Sequence, residues 1–161
     1  MTTLQNKIDF AIVLRVKNAN PNGDPLNGNR PRTDYGGLGE ITDVCLKRKL
    51  RDRLQEAKHP VFVQSDDRKV DEYKSLAERA RAVLSDKLGG PETAKLACLA
   101  WFDVRAFGQL FAIKAAKKSK KKDESADEAG GDTGISIGIR GPVTIQSAFS
   151  VEPVSVTSTQ I

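Results

Sequence analysis

The chain has 161 residues, a mass of 17.5 kDa, 39% hydrophobic and 29% charged residues, and a net charge of +5. That is the length of one domain with enough apolar material for a core, which excludes wholesale disorder. Two cysteines, Cys45 and Cys98, and one histidine, His59, exclude a disulfide-built secreted scaffold and any multi-histidine metal site, so no metal or cofactor is expected.

No apolar run approaches the roughly 20 residues of a membrane helix, and the opening MTTLQNKIDF lacks a signal-peptide pattern. The expectation is a reducing, cytoplasmic compartment and no membrane partner. From Lys7 to Lys17 the sequence alternates: Ile8, Phe10, Ile12, Leu14 and Val16 share one face, which predicts a strand. At Asn18 a long Gly- and Pro-rich loop begins (NANPNGDPLNGNRPRTDYGGLGE), incompatible with helix or central strand, and of a length that usually either binds something or is disordered.

Residues 41–57 predict a helix whose Leu46, Leu50, Leu54 and Ala57 form a face to pack on a sheet. Residues 41–53 carry net +3, most of the surplus positive charge of the chain. Val61-Phe62-Val63 predicts a short strand, and residues 68–88 a second helix ended by Gly89-Gly90-Pro91. Residues 92–113 are densely apolar and read equally as helix or strand. The tract 114–134 is low-complexity, a lysine block followed by an acidic one, and predicts a flexible charged surface loop. Val143 to Val151 alternates again and predicts a last strand. This order fits an α+β domain with a ferredoxin-like or RRM-like sheet, a fold that carries RNA on one face.

Lys47 and Arg51, and Lys49 and Arg53, are like-charged neighbours four residues apart on the helix, a spacing that costs a few tenths of a kcal/mol per pair. A phosphate backbone alongside would remove that repulsion, and Arg30 and Arg32 of the preceding loop are good oxyanion donors. A solvated surface helix explains the same pattern without a ligand. Asp24 and Asp34 are the candidate catalytic acids, set against the ordinary role of loop aspartates as turn formers. No P-loop, dinucleotide fingerprint or zinc spacing is present.

Three segments together resemble a known family. They are Asn18-Ala19-Asn20-Pro21-Asn22-Gly23-Asp24-Pro25 running on to Gly28-Asn29-Arg30-Pro31-Arg32-Thr33-Asp34, then Leu46-Lys47-Arg48-Lys49-Leu50-Arg51. The third pairs Trp101-Phe102-Asp103-Val104-Arg105-Ala106-Phe107-Gly108 with Gly141-Pro142-Val143 and Ala148 to Val154. The chain is similar to the backbone subunit of the CRISPR Cascade surveillance complex, the Cas-seven family of the RAMP superfamily, most closely its type I-C (Csd) branch.

That resemblance implies one RRM-like palm over 1–161, with 66–95 as a helical insertion and 114–134 as a flexible loop. It implies a non-catalytic subunit that binds guide crRNA, meets target DNA through the guide, and assembles head-to-tail with other copies and other Cascade subunits. Asn20, Asn22, Arg30, Arg32, Lys47, Arg48 and Arg51 match guide-contacting segments, and Phe107-Gly108 and Gly141-Pro142 look architectural. The chain stops at Ile161 where family members run on, so an incomplete palm is expected. The rival reading is a metal-dependent ribonuclease of the type III backbone kind, using Asp34 or Asp24.

Overall fold

The computed structural model describes residues 4–113 and 135–157. In chain order the elements are β1 (Gly23–Asp24), β2 (Arg30–Pro31), β3 (Leu38–Ile41), α1 (Asp43–Glu56) and α2 (Leu76–Leu84). There follow α3 (Thr93–Ala100), α4 (Phe102–Phe107), β4 (Gly108–Ile113), β5 (Ile135–Arg140) and β6 (Ala148–Pro153). The fold is α+β, with three antiparallel two-stranded ladders: β1 with β2, β3 with β6, and β4 with β5. The chain divides into two units, one of residues 1–42 and 147–161, the other of residues 43–146.

In the first unit the long loop is a structured hairpin. Asp24 caps a 3-10 turn over Pro25–Asn27 by accepting from the Leu26 amide, and Gly28 and Asn29 take left-handed φ values of 60° and 57° that close it. The Arg32 amide donates to the Asn22 carbonyl and the Glu40 amide to the Arg32 carbonyl, which ties the hairpin to β3. β3 then pairs with β6 in the register Glu40–Phe149 and Ile41–Ala148, with an irregularity between Leu38 and Glu40.

Two predicted strands change here. Residues 7–17 form no strand, and Ile8, Phe10, Ile12, Leu14 and Val16 are exposed. Alternation specifies which side chains share a face, but a strand exists only where a second backbone completes its ladder, and none among the described residues does. The last strand begins at Ala148 rather than Val143, and its half-buried residues are Ala148 and Ser150 while Phe149 and Val151 are exposed. The opposite phase follows from the Ser150 hydroxyl, which accepts from the Gly39 amide at 2.9 Å and so turns that face toward β3.

The second unit holds the apolar core. Phe62, Ala80, Leu84, Ala97, Trp101, Val104 and Phe111 are buried together. Phe62 sits at its centre, with ring centroids 4.6 Å from Trp101 and 5.2 Å from Phe111, and burying each such ring contributes roughly 1.5–3 kcal/mol. The ambiguous stretch 92–113 resolves into two short helices and a strand. The chain leaves α4 at Gly108 with φ of 81°, and there the strand β4 begins, paired residue for residue with β5. A Cβ at Gly108 would overlap the Ile139 carbonyl oxygen, and one at Gly141 the Ala106 carbonyl oxygen, so both glycines permit the crossing.

The second predicted helix is shorter than its periodicity implies. It starts at Leu76 because Ser75 caps it, accepting from the Glu78 amide while the Glu78 carboxylate accepts from the Lys74 amide. Upstream, Asp71 is diverted to Arg79, with contacts of 2.7 and 2.8 Å. The loop 114–134 lies outside the described residues.

Candidate nucleic-acid interface

The predicted strand Val61-Phe62-Val63 is irregular backbone, and it organises the surroundings of α1. Its main-chain groups are satisfied by side chains instead of a ladder. Asp103, 1% exposed, accepts from the Phe62 amide at 2.7 Å and the Val63 amide at 3.1 Å. Arg79 donates to the Phe62 carbonyl at 2.8 Å, Arg48 donates to the Val63 carbonyl, and the Phe102 amide donates to the Pro60 carbonyl. Five main-chain groups of Pro60, Phe62 and Val63 are thus held by four residues.

This node decides how α1 is used. The leucine face does not bury: α1 has no buried residue, and Leu50 is exposed. Within its unit the helix is attached by arginines. Arg48 reaches Val63, and Arg51 donates from Nε to Asp103 at 2.9 Å while its guanidinium lies 5.3 Å from the Phe107 ring centroid. The periodicity located the helix and gave no sign that Arg48 and Arg51, rather than its leucines, would attach it. The signal that was available is Asp103 itself, an acid inside an apolar run, because a buried carboxylate requires donors.

The remaining candidate residues are placed as follows. Lys47 pairs with Asp43 at 3.2 Å and Arg48 with Asp52 at 3.5 Å, both one turn apart on α1, so the like-charge repulsion of this helix is relieved locally. In the other unit Arg32 lies 3.7 Å from Glu40. Asn22 is a structural bracket: its Oδ1 accepts from the Thr42 amide at 2.9 Å and the Thr42 hydroxyl at 3.0 Å. Asn20 donates to the Asn29 carbonyl at 2.6 Å. Arg30 is exposed and makes no ion pair among the described residues, and the same holds for Lys49, which sequence reasoning left aside.

The acids of the rival reading are both turn formers. Asp34 Oδ1 accepts from the amides of Gly36 at 2.9 Å and Leu38 at 2.8 Å, and Asp24 Oδ1 from Leu26 at 3.1 Å. Among the described residues no three His, Cys, Asp or Glu side chains cluster as a metal site would, and no helix is long and apolar enough to cross a membrane.

Residues 6–161 match the family described as CRISPR-associated protein Cas7. The chain belongs to the Cas7 family. It is 34% identical over 129 residues to the CRISPR-associated protein Cas7 of Haloferax volcanii, an alignment covering 73% of this chain and 36% of that relative. The chain therefore spans little more than a third of the length of the curated Cas7 protein it matches. The hairpin, α1 and the Asp103 node all fall inside the family match.

Proposed function

We propose that this Cas7-family chain is a non-catalytic crRNA-binding backbone subunit of a type I-C CRISPR Cascade complex in the cytoplasm. Copies assemble head-to-tail along the guide, beside other Cascade subunits, and the guide's bases stay free to pair with target DNA. The observation that carries the reading is the Cas7 match over residues 6–161. The type I-C assignment and the ferredoxin-like palm, with 66–95 as an insertion, rest on the motifs around Asn18–Asp34, Leu46–Arg51 and Trp101–Gly108.

The chemistry on offer is polyanion binding that reads no sequence. In one unit exposed Arg30, with Asn20 and Arg32, and in the other exposed Lys49, with Lys47, each supply donors suited to phosphate oxygens. The absence of catalysis is supported by Asp24 and Asp34, each of which has its Oδ1 engaged by turn amides.

The test is purification of the chain from cells carrying a CRISPR array, followed by its absorbance ratio and filter binding to single-stranded RNA. Copurified short RNA and sequence-independent, salt-sensitive binding are expected. A chain that purifies free of nucleic acid and retains no RNA on the filter overturns the reading.

A further inference from the structure

Arg51 stands apart from the other cations of α1. Its side chain is 13% exposed and its partner Asp103 is 1% exposed. The same carboxylate holds the Phe62 and Val63 amides, so three donors converge on one buried acid. A phosphate arriving from solvent would have to strip Arg51 from that acid and leave a negative charge buried with two amides, an exchange that desolvation opposes. Lys47 differs, since its partner Asp43 is a surface acid one turn away, and Arg48 also differs, since it holds the neutral Val63 carbonyl and the partly exposed Asp52 rather than a buried acid.

We infer that Arg51 is a positioning residue: paired to Asp103, it pins α1 to the Phe62–Val63 main chain, so that Lys49 is presented to the guide backbone while Arg51 contacts no phosphate. The pin rests on geometry alone; the ligand rests on the function proposed above. A helix held in place loses less freedom on binding, so loosening the pin weakens RNA binding without removing an ionic contact. A phosphate ligand behaves differently, because each one lost lowers the dependence of log K on log salt by about 0.7 for single strands.

The experiment measures binding of a fluorescein-labelled, mixed-sequence single-stranded RNA across a KCl titration for the chain, Arg51→Gln and Lys49→Ala. Amide hydrogen exchange at Phe62 and Val63 is followed in parallel. Arg51→Gln is expected to bind about tenfold more weakly at fixed salt with an unchanged slope, and to exchange both amides about tenfold faster. Lys49→Ala is expected to lower the slope by about 0.7 with no change in exchange. Arg51→Lys keeps the charge and carries the same two readouts if the glutamine variant does not fold. A slope lowered by about 0.7 in the Arg51 variant makes it a phosphate ligand and overturns the inference. Unchanged affinity in a folded variant overturns the positioning role, and unchanged exchange overturns the pin. Failure of the unsubstituted chain to bind RNA overturns the proposed function instead, and the exchange data still decide whether Arg51 is a pin.

Discussion

Replacing Asp103 by Asn should be strongly destabilising. The carboxylate accepts from the Phe62 amide through Oδ1 at 2.7 Å, and through Oδ2 from the Val63 amide at 3.1 Å and Arg51 Nε at 2.9 Å. Asparagine keeps one carbonyl oxygen, which retains the Phe62 amide, and presents an NH2 group to two remaining donors. An unsatisfied buried amide costs about 1–3 kcal/mol, and a buried ion pair broken on one side about 3–5 kcal/mol. The two overlap, and Arg51 keeps some solvent, so about 3–5 kcal/mol in total is expected, against about 5–15 kcal/mol for a whole domain. Arg51→Met leaves a buried carboxylate with two amides and no cation, so it should also cost about 3–5 kcal/mol.

Urea unfolding followed by fluorescence reads this directly, because Trp101 is the single tryptophan and lies in the core against Phe62. At a slope of about 2 kcal/mol/M the Asp103→Asn midpoint should fall by about 2 M. A loss below about 1 kcal/mol refutes the view that this acid organises the node.

The pair formed by Asp71 and Arg79 predicts an acid-side loss of stability. Hydrogen bonding by Arg79 holds the Asp71 carboxyl below its ordinary value, so its contribution is complete above about pH 5 and fades as pH falls through the ordinary aspartate range and below. Urea midpoints from pH 6 to pH 3 should fall less steeply in Asp71→Asn, and an identical slope would count against the pair. Gly108→Ala should destabilise by more than about 1 kcal/mol, since it adds a Cβ at positive φ against the Ile139 carbonyl oxygen; a melting temperature within a degree of the parent contradicts this. Ser75→Ala should cost about 1 kcal/mol by uncapping α2, read by the same urea titration; no loss would show the cap to be idle. No Mg2+-dependent cleavage of a complementary RNA is expected, and cleavage abolished by Asp34→Ala or Asp24→Ala would restore the ribonuclease reading.

Local rules made part of this molecule legible. Glycine, proline and asparagine at 18–37 marked a long loop, though not the short hairpin inside it, and the spacing of apolar residues marked α1 to within two residues at each end. What depended on distant partners was not legible. Val61-Phe62-Val63 has every local attribute of a strand, yet amides and carbonyls of Phe62 and Val63 are claimed by Arg48, Arg79 and Asp103, residues 15 to 41 positions away. The stretch 7–17 shows the converse: a faultless alternation without a ladder among the described residues. At the candidate interface the sequence located the basic helix, and the sign of each charge. It did not show which cations are occupied, because that depends on Asp43 and Asp52 one turn along α1, and on Asp103, 52 positions from Arg51.

The way residues 61–63 are held has a consequence for how this chain tolerates change. Grip is exerted on peptide groups, which every amino acid except proline supplies alike. Val63, half-buried against the core and held through its backbone, is therefore open to exchange among apolar residues, whereas the three gripping residues are not. In a saturation library selected for folding, position 63 should accept several apolar letters, while 48, 79 and 103 should change rarely and in concert.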